Sequence, residues 1–227
     1  ANLFIIDQDI NNSTNSAFEG PLSSLTSGFC QVLNREHPEI RGVCLHYDEG
    51  EKVGARLVDD LFISHNEFSL LIAGHFVYIP RLKKAEIKLS QENGFDDSGF
   101  YVITGGLGGL GLKTAEVLVE LGIKHLSLIG RHLPNSETMA KIEQWKQQGI
   151  QVDIGTLDVA DLDNAKMYFE KLNNKKSIKG IVHCAGILED VLIEKLEWSS
   201  VENVFASKVK GTIVLNAIIE KLNLSLN

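Results

Sequence analysis

Tyr101-Val-Ile-Thr-Gly-Gly-Leu-Gly-Gly-Leu-Gly111 is a short apolar run that breaks into glycines and continues as a helix-forming segment, Leu112 to Leu121. Glycine enters tight turns, and without a side chain it lets the backbone approach a bulky anion closely. A helix that follows such a turn aims its first free N–H groups, and the positive end of its dipole, at that anion. Gly106, Gly108 and Gly111 fit G-x-G-x-x-G, and Thr104, Gly105, Gly109 and Gly111 fit T-G-x-x-x-G-x-G. Set between a strand and a helix, the run reads as a phosphate turn for a dinucleotide, formed by Thr104, Gly105, Gly106, Leu107, Gly108, Gly109, Leu110 and Gly111. A purely structural glycine-rich loop is the competing reading.

Downstream of the turn the pattern alternates. Strands are expected at Phe100–Thr104, His125–Ile129, Gln151–Thr156 and Gly180–Cys184. Helices are expected at Gly111–Leu121, Glu137–Gln148, Leu162–Leu172, Val191–Lys195 and Ser199–Lys221. This order predicts an α/β architecture with a parallel sheet, whose ligands bind at the carboxyl ends of the strands. The glycine turn, Arg131, Asp158 and Ala185-Gly186 all follow strand ends, so four strands present candidates to one rim.

Upstream, the polar stretch Lys83–Gly99 separates a first half. There the sequence predicts strand Asn2–Asp7, helix Phe18–Arg35, strand Gly42–Tyr47 and helix Lys52–Leu61. Two short strands, Phe68–Ala73 and Phe76–Ile79, flank a hairpin tip at Gly74-His75. With no phosphate turn and no convergent polar cluster, this half is expected to be a scaffold without chemistry. The expected division is residues 1–92 and residues 93–227.

Bulk properties narrow the function. The chain of 227 residues is 44% hydrophobic and 23% charged, as for an ordinary globular protein. Its net charge of −8 opposes non-specific nucleic-acid binding, which needs a basic footprint. No apolar run is long enough to span a membrane, and no signal peptide opens the chain. Cys30, Cys44 and Cys184 are too scattered for a disulfide framework or zinc site, which suggests a reducing, cytoplasmic setting. The seven histidines have no metal-binding spacing, so no metal site is expected.

Four positions stand out. Arg131 follows Gly111 by about 20 residues, where an acidic residue would accept the ribose hydroxyls of NAD. A guanidinium there suits a 2′-phosphate, which favours NADPH over NADH, although a solvated surface arginine is the alternative. Asp158 and Val159 can contact adenine, yet an aspartate before a helix is also a common cap, a role Asp161 could fill instead. His183 in His183-Cys-Ala-Gly186 is expected to be packed and hydrogen-bonded. Lys208 falls on the apolar stripe of Val201, Val204, Phe205, Thr212 and Leu215, where it either serves a function or snorkels to water. Gly211 would let something pack closely on the same face.

Together with Tyr101–Gly111, the segments His125-Leu-Ser-Leu-Ile-Gly-Arg131, Leu157-Asp-Val-Ala-Asp161, His183-Cys-Ala-Gly-Ile-Leu188 and Lys208-Val-Lys-Gly-Thr212 carry a resemblance. The chain resembles the ketoreductase domain of modular polyketide synthases, a relative of short-chain dehydrogenases/reductases. Glu36-His-Pro-Glu39 and Phe76-Val-Tyr-Ile-Pro-Arg-Leu82 are similar to features of that family's structural subdomain. The resemblance implies a Rossmann-like doubly wound parallel sheet, preceded by a smaller, truncated Rossmann-like structural subdomain. It implies reduction by NADPH of a β-ketoacyl thioester, delivered by an acyl carrier protein on a phosphopantetheine arm within a multidomain synthase. By resemblance, the glycine turn and Arg131 hold the pyrophosphate and 2′-phosphate, Asp158 and Val159 contact adenine, and Ala185-Gly186 line the ribose. Lys208 becomes the active-site lysine, holding the nicotinamide ribose and lowering the pKa of a tyrosine. Leu188-Glu-Asp190 is similar to the family's Leu-Asp-Asp signature except in its middle residue.

One departure matters. The family's serine and proton-donating tyrosine follow the lysine, whereas Tyr47, Tyr78, Tyr101 and Tyr168 all precede Lys208. The domain is therefore expected to lack its C-terminal part here, and this segment alone is expected not to reduce ketones. The alternatives are a catalytically silent structural domain of a synthase, a domain completed by a second chain, and a stand-alone NADP-binding redox sensor.

Overall fold

The computed structural model describes residues 2–9, 21–48, 67–73, 76–85 and 95–226. They fall into two compact units, residues 1–88 with 191–195, and residues 89–190 with 196–227.

In the first unit, β1 (Asn2–Asp9) and β2 (Arg41–Asp48) pair in parallel. Next, β3 (Ser69–Ala73) adds in parallel to β2, and β4 (Phe76–Tyr78) closes the edge antiparallel. The helix α1 (Pro21–Glu36) packs on β2, burying Cys30 and Leu33. Asn34 pins the two elements, giving an N–H to the Gly42 carbonyl at 2.9 Å and accepting the Gly42 N–H at 2.8 Å. A short 3₁₀ turn at Ile193–Lys195 belongs to this unit, with the Ile193 N–H donated to the Glu36 carboxylate at 2.7 Å. The expected helix Lys52–Leu61, the hairpin tip Gly74-His75 and the start of α1 at Phe18 lie outside the described residues.

The expectation of no convergent polar cluster in this half is wrong. Ser27 Oγ lies 3.0 Å from His46 Nε2, and the Cys44 thiol donates to Thr26 Oγ1 at 3.3 Å. Ser27, Cys44 and His46 are buried between α1 and β2, so the cluster joins helix to sheet. The pairing spans helix and sheet, and no local spacing announces it.

In the second unit the strands β5 (Phe100–Thr104), β6 (His125–Gly130), β7 (Gln151–Thr156) and β8 (Ile178–His183) form one parallel sheet in the order β7-β6-β5-β8. The connections carry α2 (Gly109–Glu120), α3 (Ser136–Gln147) and α4 (Leu162–Lys175). After β8 come α5 (Trp198–Phe205), a π-helical turn (Ala206–Lys210) and α6 (Gly211–Lys221).

Every residue of β5 is buried, and the strand's alternation sorts its side chains into two layers. Phe100 and Val102 join Phe169 and Leu172 of α4 and Val214, Leu215 and Ile218 of α6. Tyr101 and Ile103 join Ala115 and Leu118 of α2 and Ile142 and Trp145 of α3. A central strand with helices on both faces must read as a continuous apolar run, as Phe100–Ile103 does. The rigid sheet therefore fixes where the four strand ends lie. No helix among the described residues is long and apolar enough to cross a membrane.

One buried polar pair ties α4 to the sheet. Tyr168 OH lies 2.9 Å from Ser127 Oγ, and Ser127 is fully buried. Burial pushes the Tyr168 phenol up to about 12. The folded state thus holds its proton longer than the unfolded state, so stability is full below the unfolded value near 10 and falls as pH rises toward 12. Tyr168→Phe should remove that alkaline fall, and by stranding the Ser127 hydroxyl it should cost about 1–3 kcal/mol. Urea unfolding at neutral and alkaline pH measures both effects, and an unchanged alkaline slope in the variant would refute the assignment.

Candidate functional site

The glycine run turns the chain from β5 into α2, and each glycine has its own geometry. Gly105 adopts φ +68°, and a Cβ there would stand 2.7 Å from the Ala185 nitrogen. A Cβ on Gly111 would overlap the Gly105 carbonyl oxygen and come within 2.7 Å of Gly106 Cα. Side chains are therefore excluded at both positions by backbone, which cannot rotate away. Gly106 instead packs inward, donating its N–H to Ile129 O at 3.0 Å, and does not line the cleft described below. Gly109 faces open space, with nothing within 4 Å of where its Cβ would be.

The helix α2 begins at this turn without a side-chain cap. Its first intrahelical acceptor is Gly108 O, which takes the Leu112 N–H at 2.8 Å. The N–H groups ahead of Leu112 therefore have no partner inside the helix, and they form the end that attracts anions.

A cleft of about 420 Å³ opens in front of these groups. Thr104, Gly105, Leu107, Gly108, Gly109, Leu110 and Gly111 line it from the end of β5. Arg131 lines it past β6, Asp158 and Val159 past β7, and Ala185 and Gly186 past β8. The structure thus gathers the sequence candidates on one rim, except Gly106 and Lys208. Arg131 is exposed and enters none of the ion pairs among the described residues, so its guanidinium is available to an anionic ligand. Asp158 accepts the Ala160 N–H at 2.9 Å, which fixes the turn after β7. Asp161 caps α4, accepting the Asn164 N–H at 3.2 Å. The cap role thus belongs to Asp161, and Asp158 stands at the cleft.

Lys208 lies in the π turn and is exposed, so it reaches water as the snorkelling alternative has it, and the unbroken helical stripe expected through it is interrupted. The turn inserts a residue into the helical period. Gly211, Val214, Leu215 and Ile218 are consequently the buried positions beyond it, and Thr212 is exposed. The Lys208 stem still leans toward the rim, with Cε 3.6 Å from where a Gly186 Cβ would be. His183 is packed and hydrogen-bonded as expected. Its Nδ1 lies 2.6 Å from Thr104 Oγ1 and its Nε2 3.0 Å from Ser207 O. Gly211 does admit close neighbours, because a Cβ there would stand 3.2 Å from His183 Cε1 and Val159 Cγ1.

Sequence reasoning missed Gly130, Asn203, Ala206 and Ser207 of the lining. Gly130 had a signal, since it immediately precedes Arg131 and leaves room for Leu107, whose Cδ1 would lie 3.0 Å from a Cβ there. Asn203, Ala206 and Ser207 had none, because they reach the rim from α5 and the start of the π turn through packing between distant segments. No tyrosine lines the cleft.

A family model described as the KR domain matches residues 99–226, more than half of the chain. The chain is 29% identical, over 222 residues and 91% of its length, to a 6-methylsalicylic acid synthase of Arthrobotrys oligospora, and covers 12% of it. It is 28% identical over 208 residues to a 5-methyl-1-naphthoate synthase of Streptomyces sahachiroi, covering 84% of this chain and 12% of that one. Among solved structures, an A-type ketoreductase from a modular polyketide synthase superposes with a TM-score of 0.84 at 24% identity, covering 99% of this chain and 49% of that one. The adenylation, ketoreductase and pseudo-Asub structure of a keto acid-selecting NRPS module superposes with a TM-score of 0.84 at 25% identity, covering 97% of this chain and 20% of that one. The Rossmann-like α/β fold is common to these structures and to this chain.

Proposed function

Because the chain belongs to the KR domain family, we propose that its second unit holds NADPH for the reduction of a carrier-bound β-ketoacyl thioester to a β-hydroxyacyl thioester. The observation that carries this reading is the side-chain-free cradle at the end of β5. Gly105 and Gly111 are closed to any Cβ by backbone, while Gly109 and the first N–H groups of α2 face the cleft. Such a cradle fits a diphosphate, which needs close backbone approach and donors rather than side chains.

The amides of Leu107, Gly109, Leu110 and Gly111 would hold the diphosphate, the Gly108 N–H being donated to Gly105 O at 3.0 Å, and Arg131 would take the 2′-phosphate through its planar fork. Asp158 and Val159 would bound the adenine, and Ala185 and Gly186 would lie along a ribose. Bound there, the dinucleotide supplies a hydride to the keto carbon. Lys208 would hold the nicotinamide ribose by donating to its hydroxyls, and its charge would lower the pKa of a neighbouring acid. An acyl carrier protein would bring the substrate on its phosphopantetheine arm, and other domains of the same synthase would be further partners, in a cytoplasmic setting.

Ketone reduction also needs a proton donor within hydrogen-bond reach of the forming alkoxide. Tyr101 is buried in the core and the Tyr168 hydroxyl is taken by Ser127, so neither is placed for this. The 227 residues by themselves should therefore bind NADPH without consuming it. The test is to mix the purified chain with NADPH and a β-ketoacyl thioester and follow NADPH absorbance. A flat trace with saturable binding is expected, and steady turnover would overturn this part of the reading. The absence of a cleft tyrosine also favours a second reading, a catalytically silent domain that supports a synthase. Ketone reduction by the parent synthase that is lost on Lys208→Ala would exclude that.

A further inference from the structure

We infer that His183 is a positioning residue. Through the chain Thr104–His183–Ser207 it fixes the π turn that carries Lys208, and so sets where the lysine stem leans toward the rim. The inference rests on the cofactor reading for the lysine's role, while the geometry of the turn stands apart from it.

The hydrogen-bond roles follow from the partners. The Ser207 carbonyl can only accept, so His183 Nε2 carries the proton. In the neutral ring Nδ1 then accepts, and the Thr104 hydroxyl donates to it at 2.6 Å. The same hydroxyl oxygen accepts the Ala185 N–H at 3.4 Å. Thr104 is fully buried, so the chain is anchored in the sheet. One imidazole therefore links the ends of β5 and β8 to the helix that crosses the rim.

The helix is shaped to receive it. The Gly211 N–H reaches back five residues to Ala206 O, the spacing of a π turn. Single π turns in helices are frequent at functional sites. Gly211 is buried, and its missing Cβ leaves room for the imidazole, whose Cε1 would otherwise lie 3.2 Å away. Lys208 is the residue next to Ser207, and its Cε lies 3.6 Å from a Cβ placed on Gly186. A shift of the Ser207 carbonyl would thus carry the lysine with it. Interior donors left unpaired are costly, so the imidazole holds the carbonyl in place.

The substitutions separate the two ring nitrogens. His183→Gln can keep a donor at the far position, toward Ser207, whereas His183→Asn keeps polarity only near Thr104. Gly211→Ala presses on the ring from the helix side. Hydrogen exchange in the chain without nucleotide reads the turn, and NADPH titration reads the lysine. In His183→Asn the amides of residues 206–212 should exchange about tenfold faster while those of β5 stay unchanged, and NADPH should bind about tenfold more weakly. His183→Gln should restore both to within about threefold, and Gly211→Ala should move both in the same direction as His183→Asn. Against a Lys208→Ala background, His183→Asn should have no further effect on NADPH affinity, because the histidine acts through the lysine.

Unchanged exchange at residues 206–212 in His183→Asn would overturn the inference. So would an affinity loss that persists in full without Lys208, which is the mark of a merely structural role. If the wild-type chain bound no NADPH, the cofactor reading would fail, and the exchange results alone would decide for or against the control of the turn by His183.

Discussion

Gly111→Ala should abolish NADPH binding and lower the melting temperature by about 6–12 °C. The stability part follows from the close approach at this position, where a Cβ would overlap the Gly105 carbonyl oxygen and crowd Gly106 Cα. Overpacking of a core typically costs about 1–3 kcal/mol, and contact with backbone belongs at the upper end because no rotamer change relieves it. At about 2–4 °C per kcal/mol for a chain of this size, the melting point moves by the stated amount. The binding part follows because the strain can relax only by opening the turn. That moves the amides which would hold the diphosphate. Gly109→Ala is the companion experiment, since nothing lies within 4 Å of its Cβ. There the first turn of α2 should keep or gain up to about 1 kcal/mol, as glycine is the poorer helix former. Equal melting points for the two variants would show that the turn is not packed as described.

Arg131→Ala should weaken NADPH about 10- to 100-fold while leaving NADH within about twofold, the loss of a charged hydrogen-bonding partner being worth about 1.5–3 kcal/mol. The two nucleotides differ only in the 2′-phosphate, so the comparison isolates that contact. Arg131 is exposed at the cleft, past the end of β6, and removing it should leave the fold intact. Fluorescence titration of both nucleotides against both proteins gives the four constants. Equal weakening of NADPH and NADH would assign Arg131 to the diphosphate or to the fold, and would remove the argument for NADPH.

The second unit was readable because its signals are local. The apolar run of β5 spans the predicted Phe100–Thr104, and β7 spans the predicted Gln151–Thr156. Each strand ends where polar or glycine residues begin, so the rim could be placed before any contact was known. The π turn was not readable. A period of 3.6 residues carried straight through Ser199–Lys221 predicts an unbroken helix with Thr212 on its buried face. The extra residue coincides with the fit of His183 against Gly211 and Ser207, a contact between segments far apart in sequence. Lys208 was accordingly singled out by its place on an apolar stripe, whereas its structural interest lies in the π turn that holds it and leaves it exposed. The buried Ser27–His46 pair escaped for the same cause, since α1 and β2 each look ordinary alone.

The central claim is that the backbone between Gly105 and Gly111 grips the diphosphate of a nicotinamide dinucleotide. Titrating NADPH into isotopically labelled protein and following the backbone amide resonances tests it most directly. Saturable shifts concentrated at residues 105–111 and at Arg131 are predicted, with little change in β1 and β2. Saturation that left the 105–111 amides unmoved, or no binding at all, would contradict it.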